Sequence, residues 1–168
     1  MGEIKLSAPK LLSDDHRLDT FDCGEESLNE WLRRKARSNQ LSGASRTYVT
    51  CRGADVVGYY CISSGALAAE AAPGSLRRNM PDPIPMTILG RFAIDQDWQG
   101  RGVGVALLQD AVTRAGQAAE IIGVRGILVH ALSDRARLFY EKHGFRAARG
   151  SPMTLVLSLK RRTFQIPE

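Results

Sequence analysis

Gln99-Gly100-Arg101-Gly102-Val103-Gly104 is the stretch from which the fold is read. Before it lies an apolar run, Met86 to Ile94, with the character of a central strand. After it, from Val103 to about Ile122, Leu107, Leu108, Ala111, Val112, Ala115 and Ala119 fall on one face of a long helix. Glycines let a backbone approach a ligand closely and leave its amides unobstructed. A helix start adds unpaired N–H groups and a partial positive charge. Together these features make a cradle for a pyrophosphate, although a plain strand-to-helix turn would use the same residues. No Lys-Ser/Thr follows, so the turn is not a Walker loop. The third glycine of a dinucleotide fingerprint is also missing.

Towards the N-terminus, Ile4 to Leu12 has the character of a first strand, and Asp22-Cys23-Gly24 is a turn signal. A helix is predicted from about Glu25 to Gln40, with Leu28, Trp31, Leu32 and Ala36 as its buried stripe and Arg33, Arg34 and Arg37 projecting to solvent. Arg46 to Arg52 and Val56 to Ser63 read as two strands of a hairpin. Ala66 to Pro85 is a long connection rich in Pro, Gly and Arg, of a length typical of functional or mobile loops.

Towards the C-terminus, Gly126 to Ala131 reads as a strand and Ser133 caps a helix from Asp134 to His143. Gly144 ends that helix, and Phe145 to Ala147 and Met153 to Leu159 read as final strands. The predicted order is β-α-β-β-β-α-β-α-β-β. That is an α/β (α+β) chain, a single domain over residues 1–168 with helices on the faces of its sheet.

Composition bounds the function classes. The chain has 168 residues, 43% hydrophobic and 24% charged, ordinary values for one globular domain. No apolar stretch approaches the roughly 20 residues of a membrane span. Glu3 and Lys5 interrupt any leader-like start, and Leu6 stands where a myristoylation signal needs Ser or Thr. A cytoplasmic protein without a membrane partner is the expectation. Cys23, Cys51 and Cys61 are odd in number and widely spaced, and read as buried free thiols. With His16, His130 and His143 they form no metal-ligand spacing, so no metal is expected. The net charge of +5 favours anionic partners, to which both a nucleotide cofactor and a nucleic acid answer.

Gln99-x-x-Gly102-x-Gly104 resembles the Gln/Arg-x-x-Gly-x-Gly/Ala signature of the Gcn5-related N-acetyltransferases (GNAT) and sits in the corresponding place. Downstream, Ala136-Arg137-Leu138-Phe139-Tyr140 through Gly144-Phe145 resembles that family's A-x-x-(F/L)-Y-x-x-x-G-F segment. Further stretches are similar to the branch of toxins in bacterial toxin–antitoxin pairs. They are Phe21-Asp22-Cys23-Gly24, Leu28, Trp31-Leu32, Ser42 to Val49, Pro83-Ile84-Pro85 and Leu89 to Ile94.

The resemblance implies a GNAT fold with a mixed sheet of about six to seven strands, and acetyl-CoA as acyl donor. It implies aminoacyl-tRNA as acceptor, with translation blocked. It implies a ribbon-helix-helix antitoxin as partner, DNA contacts made only through that antitoxin, and a bacterial cytoplasmic location; a homodimer is left open. By the same likeness, the backbone of Phe92, Ala93 and Ile94 pairs with the pantetheine arm. Amides of Gln99, Gly100, Arg101, Gly102, Val103 and Gly104 hold the pyrophosphate, and Ser133 and Phe139 complete the cofactor set. Many members carry an Asn at the cap of the tyrosine helix; this chain has Ser133-Asp134.

Tyr140 is the catalytic residue so implied, beside the thioester sulfur. Periodicity alone makes it a core aromatic. As a phenol with an ordinary pKa near 10 it is protonated at neutral pH and can donate to a departing thiolate. No general base stands out. That absence suits an α-amine, whose pKa near 7.7 leaves it partly neutral, better than a lysine near 10.4. Arg33, Arg34, Arg37, Arg77, Arg78 and Arg91 are the expected phosphate-binding surface, while Lys160, Arg161 and Arg162 read as a basic tail. Two rival readings stay open: an acetyltransferase for a small amine or a protein N-terminus, and an inactive acyl-CoA-binding module.

Overall fold

The computed structural model describes residues 5–159; the Lys160–Arg162 tail falls outside them. Seven strands form one sheet in the order β1-β2-β3-β4-β5-β7-β6. They are β1 (Lys10–Leu11), β2 (Arg46–Arg52), β3 (Asp55–Leu67), β4 (Ile84–Ile94), β5 (Gly126–His130), β6 (Arg146–Ala148) and β7 (Ser151–Ser158). β4 and β5 pair parallel, whereas β1–β2, β2–β3, β5–β7 and β6–β7 are antiparallel, so the sheet is mixed. The helices are α1 (Glu26–Arg34), α2 (Ala36–Ser42), α3 (Gly74–Arg77), α4 (Val103–Ile121) and α5 (Asp134–Lys142).

The chain divides into two compact units. One takes the residues up to Ser63 with Gly90–Ala111, the other Ser64–Leu89 with the residues from Val112. The first is built on the β2–β3 hairpin, which closes at Arg52↔Asp55 around a two-residue turn with Gly53 at φ +61°. Its core joins Leu12, Leu18, Phe21, Leu28, Leu32, Ala36, Val49, Val56, Tyr59 and Ala93. Leu28, Leu32 and Ala36 are the expected helical stripe. The helix carrying them is interrupted, however. Lys35 takes φ −118° between α1 and α2, and its N–H still bonds Trp31 O at 2.8 Å. The apolar spacing survives this break because it falls at a solvent-facing residue.

The second unit has its own core of Leu67, Ala72, Leu76, Ile84, Met86, Leu128 and Val156. Four of these belong to the segment expected to be an open loop. β3 runs on to Leu67, a 3-10 turn covers Ala69–Ala71, α3 follows, and β4 starts at Ile84. Leu76 is 1% exposed, and the Arg125 guanidinium donates to Leu76 O and Ser75 O at 3.1 Å. Spaced apolar residues and a capping arginine hold this segment in place. The first strand is likewise shorter than expected, only Lys10–Leu11 pairing with Val49 and Tyr48.

Candidate active site

In the first unit, β4 ends at Ile94 and a 3-10 turn, Gln96–Trp98, leads into the glycine loop. Gly100 and Gly102 take φ +76° and +82°, the left-handed region that glycine occupies without strain. No atom lies within 4 Å of where a Cβ at either position would stand. The loop backbone is thus bare on that side. It runs directly into α4, whose first N–H groups have no intrahelical acceptor. These are the physical requirements of an anion cradle. Arg101 lies with its guanidinium 4.8 Å from the centroid of the Trp98 ring, a cation–π contact that orients it at the loop.

Upstream, the β4–β5 register runs from Met86↔Gly126 to Leu89↔Val129, and β4 continues through Gly90–Ile94 beyond it. Ala93 is buried in the core of its unit, so only its backbone is available to a ligand; Phe92 and Ile94 are half-buried.

The Gln99 side chain does something the sequence reading missed. Its amide donates to Ile94 O at 2.9 Å and to Cys23 O at 3.1 Å, clipping the loop base to the Asp22–Gly24 turn. Asp22, Asn29, Asp95 and Gln96 complete this connection. The visible signal was the pair Asp22-Cys23-Gly24 and Gln99, which sequence reasoning treated separately.

Arg91 is exposed, and its guanidinium lies 5.6 Å from the centroid of Trp31 on α1. Trp31 stacks in turn on Tyr59, at 6.0 Å and 6°. The structure therefore brings Arg91 to α1, which also carries Arg33 and Arg34, while Arg37 follows on α2. Arg33 and Arg34 are exposed as expected and Arg37 is half-buried, but Arg33 and Arg37 also make bonds that the expectation did not include. Arg33 pairs with Glu26 at 3.0 Å and donates to Phe21 O at 3.1 Å. Arg37 donates to Ser13 O and His16 O. Both guanidiniums fasten the preceding loop to the helices by bonding its backbone carbonyls. Arg34 makes only a loose pair with Glu30, at 3.9 Å, and stays exposed. Arg77, the last residue of α3, and Arg78 are exposed and belong to the second unit.

Also in the second unit, Ser133 caps α5 as expected, its Oγ accepting from the Ala136 N–H at 3.1 Å. Tyr140 is 5% exposed, its ring centroid 5.4 Å from both Phe139 and Phe145. Burial raises its pKa well above the ordinary phenol value, so it holds its proton throughout the physiological range. Phe139 is half-buried and also packs on His143 at 4.8 Å. His143 Nδ1 bonds Phe139 O at 2.8 Å, and His130 Nδ1 bonds Thr154 Oγ1 at 3.0 Å. Both histidines thus have structural partners.

Burial is the leading cause that raises all three cysteine pKa values, Cys61 to about 11. None is poised as a thiolate nucleophile. Among the described residues no cluster of three His, Cys, Asp or Glu could hold a metal, and no helix is long and apolar enough to cross a membrane.

In the first unit a bare glycine loop leads into the long helix α4, and in the second α5 carries a buried, protonated tyrosine; both are features expected of an acetyltransferase. Residues 43–147 match the acetyltransferase (GNAT) domain family, and the chain belongs to it. It is 49% identical over 154 residues to a tRNA-acetylating toxin of Mycobacterium tuberculosis, covering 92% of this chain and 93% of the relative. Its fold is similar to that of AtaT complexed with acetyl-methionyl-tRNAfMet, with a TM-score of 0.87 and 32% identity over 93% of this chain and 96% of that one. It is also similar to a mutant AtaT toxin bound to the C-terminus of the antitoxin AtaR and acetyl-CoA. There the TM-score is 0.79 and the identity 31%, over 93% and 94% of the two chains.

Proposed function

We propose that this enzyme transfers acetyl from acetyl-CoA to the α-amino group of aminoacyl-tRNA, blocks translation, and is neutralised by a ribbon-helix-helix antitoxin that carries any DNA contact. The observation that supports this most is the full-length likeness to tRNA-acetylating relatives, in a chain that retains the bare Gly100–Gly102 backbone and the buried Tyr140.

Acetyl-CoA, when bound, supplies an acetyl thioester that the acceptor amine attacks directly, releasing the thiol. The chain's own residues bind, orient and manage a proton. Loop amides from Gln99 to Gly104 hold the pyrophosphate, and the backbone of Phe92–Ile94 orients the pantetheine arm and polarises the carbonyl. Ser133 and Phe139 flank the cofactor at the start and middle of α5. Tyr140 keeps a proton on its phenol oxygen for the departing sulfur. Direct transfer fits the three unactivated thiols. An amine acceptor of low pKa fits the histidines' structural partners. Arg34, Arg77, Arg78 and Arg91, together with Arg33 and Arg37, serve the RNA phosphates.

Incubating the purified protein with labelled acetyl-CoA and total charged tRNA tests the reading. Acetylated aminoacyl-tRNA is the expected product. Label appearing only on small amines or protein N-termini would reject the tRNA acceptor and leave the acetyltransferase standing.

A further inference from the structure

Asn29 is among the few polar side chains of the described residues that are fully buried, at 2% exposure. It sits on α1, far in sequence from the glycine loop, yet its bonds lead there. Its Oδ1 accepts from the Cys23 N–H at 2.9 Å, and its Nδ2 donates to Asp22 Oδ1 at 3.0 Å. Asp22 Oδ1 also accepts from the Gly24 N–H at 2.9 Å. These bonds set the Asp22–Gly24 turn, in which Gly24 takes φ +94°. They also hold the Asp22 carboxyl below its ordinary pKa, the Gly24 N–H first and the Asn29 amide second.

The turn is then bonded to the base of the loop from both sides. The Asp22 N–H donates to Asp95 Oδ2 at 3.0 Å, and the Gln96 N–H donates to Asp22 O at 2.9 Å. Gln99 reaches Cys23 O, as described. A Cβ at Gly24 would stand 2.7 Å from Gln96 Nε2, so the two segments are packed to contact. The Cys23 carbonyl that Gln99 reaches lies in a stretch held by Asn29 and the Asp22 carboxylate, and the other two bonds end on the Asp22 backbone.

From this geometry we infer that Asn29 is a positioning residue for the donor-binding loop, acting through the Asp22–Gly24 turn and Gln99. The inference rests on the reading that residues 99–104 bind acetyl-CoA. A generic core residue would stabilise the fold without choosing the loop's conformation. A positioning residue fixes where the amides of Gly100 to Gly104 point, and so governs donor affinity. Asn29→Asp is the discriminating change. It keeps the size and the acceptor for Cys23 N–H but replaces the donor facing Asp22 with a second carboxylate.

The test measures acetyl-CoA affinity by calorimetry and steady-state KM and kcat, well below each variant's Tm. Asn29→Asp is expected to raise Kd and KM for acetyl-CoA at least 10-fold, with kcat at saturating donor within about twofold of wild type. Gln99→Glu, which turns the same clip's donor into an acceptor facing two carbonyls, is expected to raise Kd similarly. The double variant is expected to be no worse than the more severe single one, because both break one connection. If Asn29→Asp does not fold, Gln99→Glu and Asp95→Asn carry the same Kd readout. A lowered Tm with unchanged Kd would overturn the inference. Gly102→Val separates the two layers. If it abolishes acetyl-CoA binding while Asn29→Asp and Gln99→Glu bind normally, the positioning role fails and the loop assignment stands. If Gly102→Val binds normally, the loop assignment itself fails.

Discussion

The guanidinium of Arg91 lies over the indole of Trp31, 5.6 Å from its centroid. A cation–π contact of this kind contributes about 0.5–2 kcal/mol, so the ring fixes where an otherwise exposed charge stands. Trp31→Leu and Arg91→Ala are therefore expected to raise KM for charged tRNA by similar factors, roughly 2- to 30-fold. The double variant should match the single ones. Fully additive effects in a kinetic cycle would show that Trp31 does not orient Arg91.

The glycine loop predicts a loss of donor binding. At Gly102, φ +82° penalises any side chain by about 1–2 kcal/mol, and a β-branched one also covers the bare amides. Gly102→Val should remove detectable acetyl-CoA binding in calorimetry while the protein stays folded.

Tyr140→Phe removes one hydroxyl and keeps the ring against Phe139 and Phe145. Stability should change by about 1 kcal/mol at most, a Tm shift of roughly 2–4 °C. Acetyl-CoA affinity should hold, and kcat should fall by roughly 100-fold or more. Near-normal turnover would return Tyr140 to a packing role.

Burial raises the Tyr140 pKa, so the folded state favours its neutral form. The associated stability is present below the ordinary phenol pKa and declines as pH rises above it. In an ultraviolet titration, Tyr140→Phe should leave the phenolate signal developing near pH 10 unchanged, since Tyr140 ionises later. Loss of one phenolate equivalent near pH 10 would contradict the assigned direction.

Charge reversal on the arginines should weaken tRNA binding and flatten its salt dependence. Each lost phosphate contact lowers the log–log salt slope by about 0.7–0.9. Arg34→Glu and the pair Arg77→Glu/Arg78→Glu are clean probes, because these side chains are exposed. Arg33 and Arg37 need the milder change to Lys, because they also bond the carbonyls of Phe21, Ser13 and His16. Binding indifferent to both salt and these changes would reject the proposed RNA surface.

Most of the fold was legible because its signals are local. The 3.6-residue stripe of Leu28, Leu32 and Ala36, the Ser133 cap and the Gly53 turn each depend on neighbours in sequence. The break at Lys35 was not legible, since apolar spacing continues across it. The Ala66–Pro85 segment misled because Pro, Gly and Arg suggest a loop, while its Leu67, Ala72, Leu76 and Ile84 are buried by residues distant in the chain. At the site, glycine spacing and the Tyr140 segment were readable as motifs. The Asn29 connection and the Arg91–Trp31 contact were not, since both join positions that only folding brings together.

The bonds between the Asp22 turn and the loop base span 73 and 76 residues of chain. On a ribosome adding about 5–20 residues per second, the turn is made roughly 4–15 s before its partner segment. Through that interval the early segment has its internal bonds but nothing to brace. On the reading that this loop binds the donor, the site can form only once more than half of the polypeptide has left the ribosome, so shorter nascent chains have nothing with which to hold acetyl-CoA.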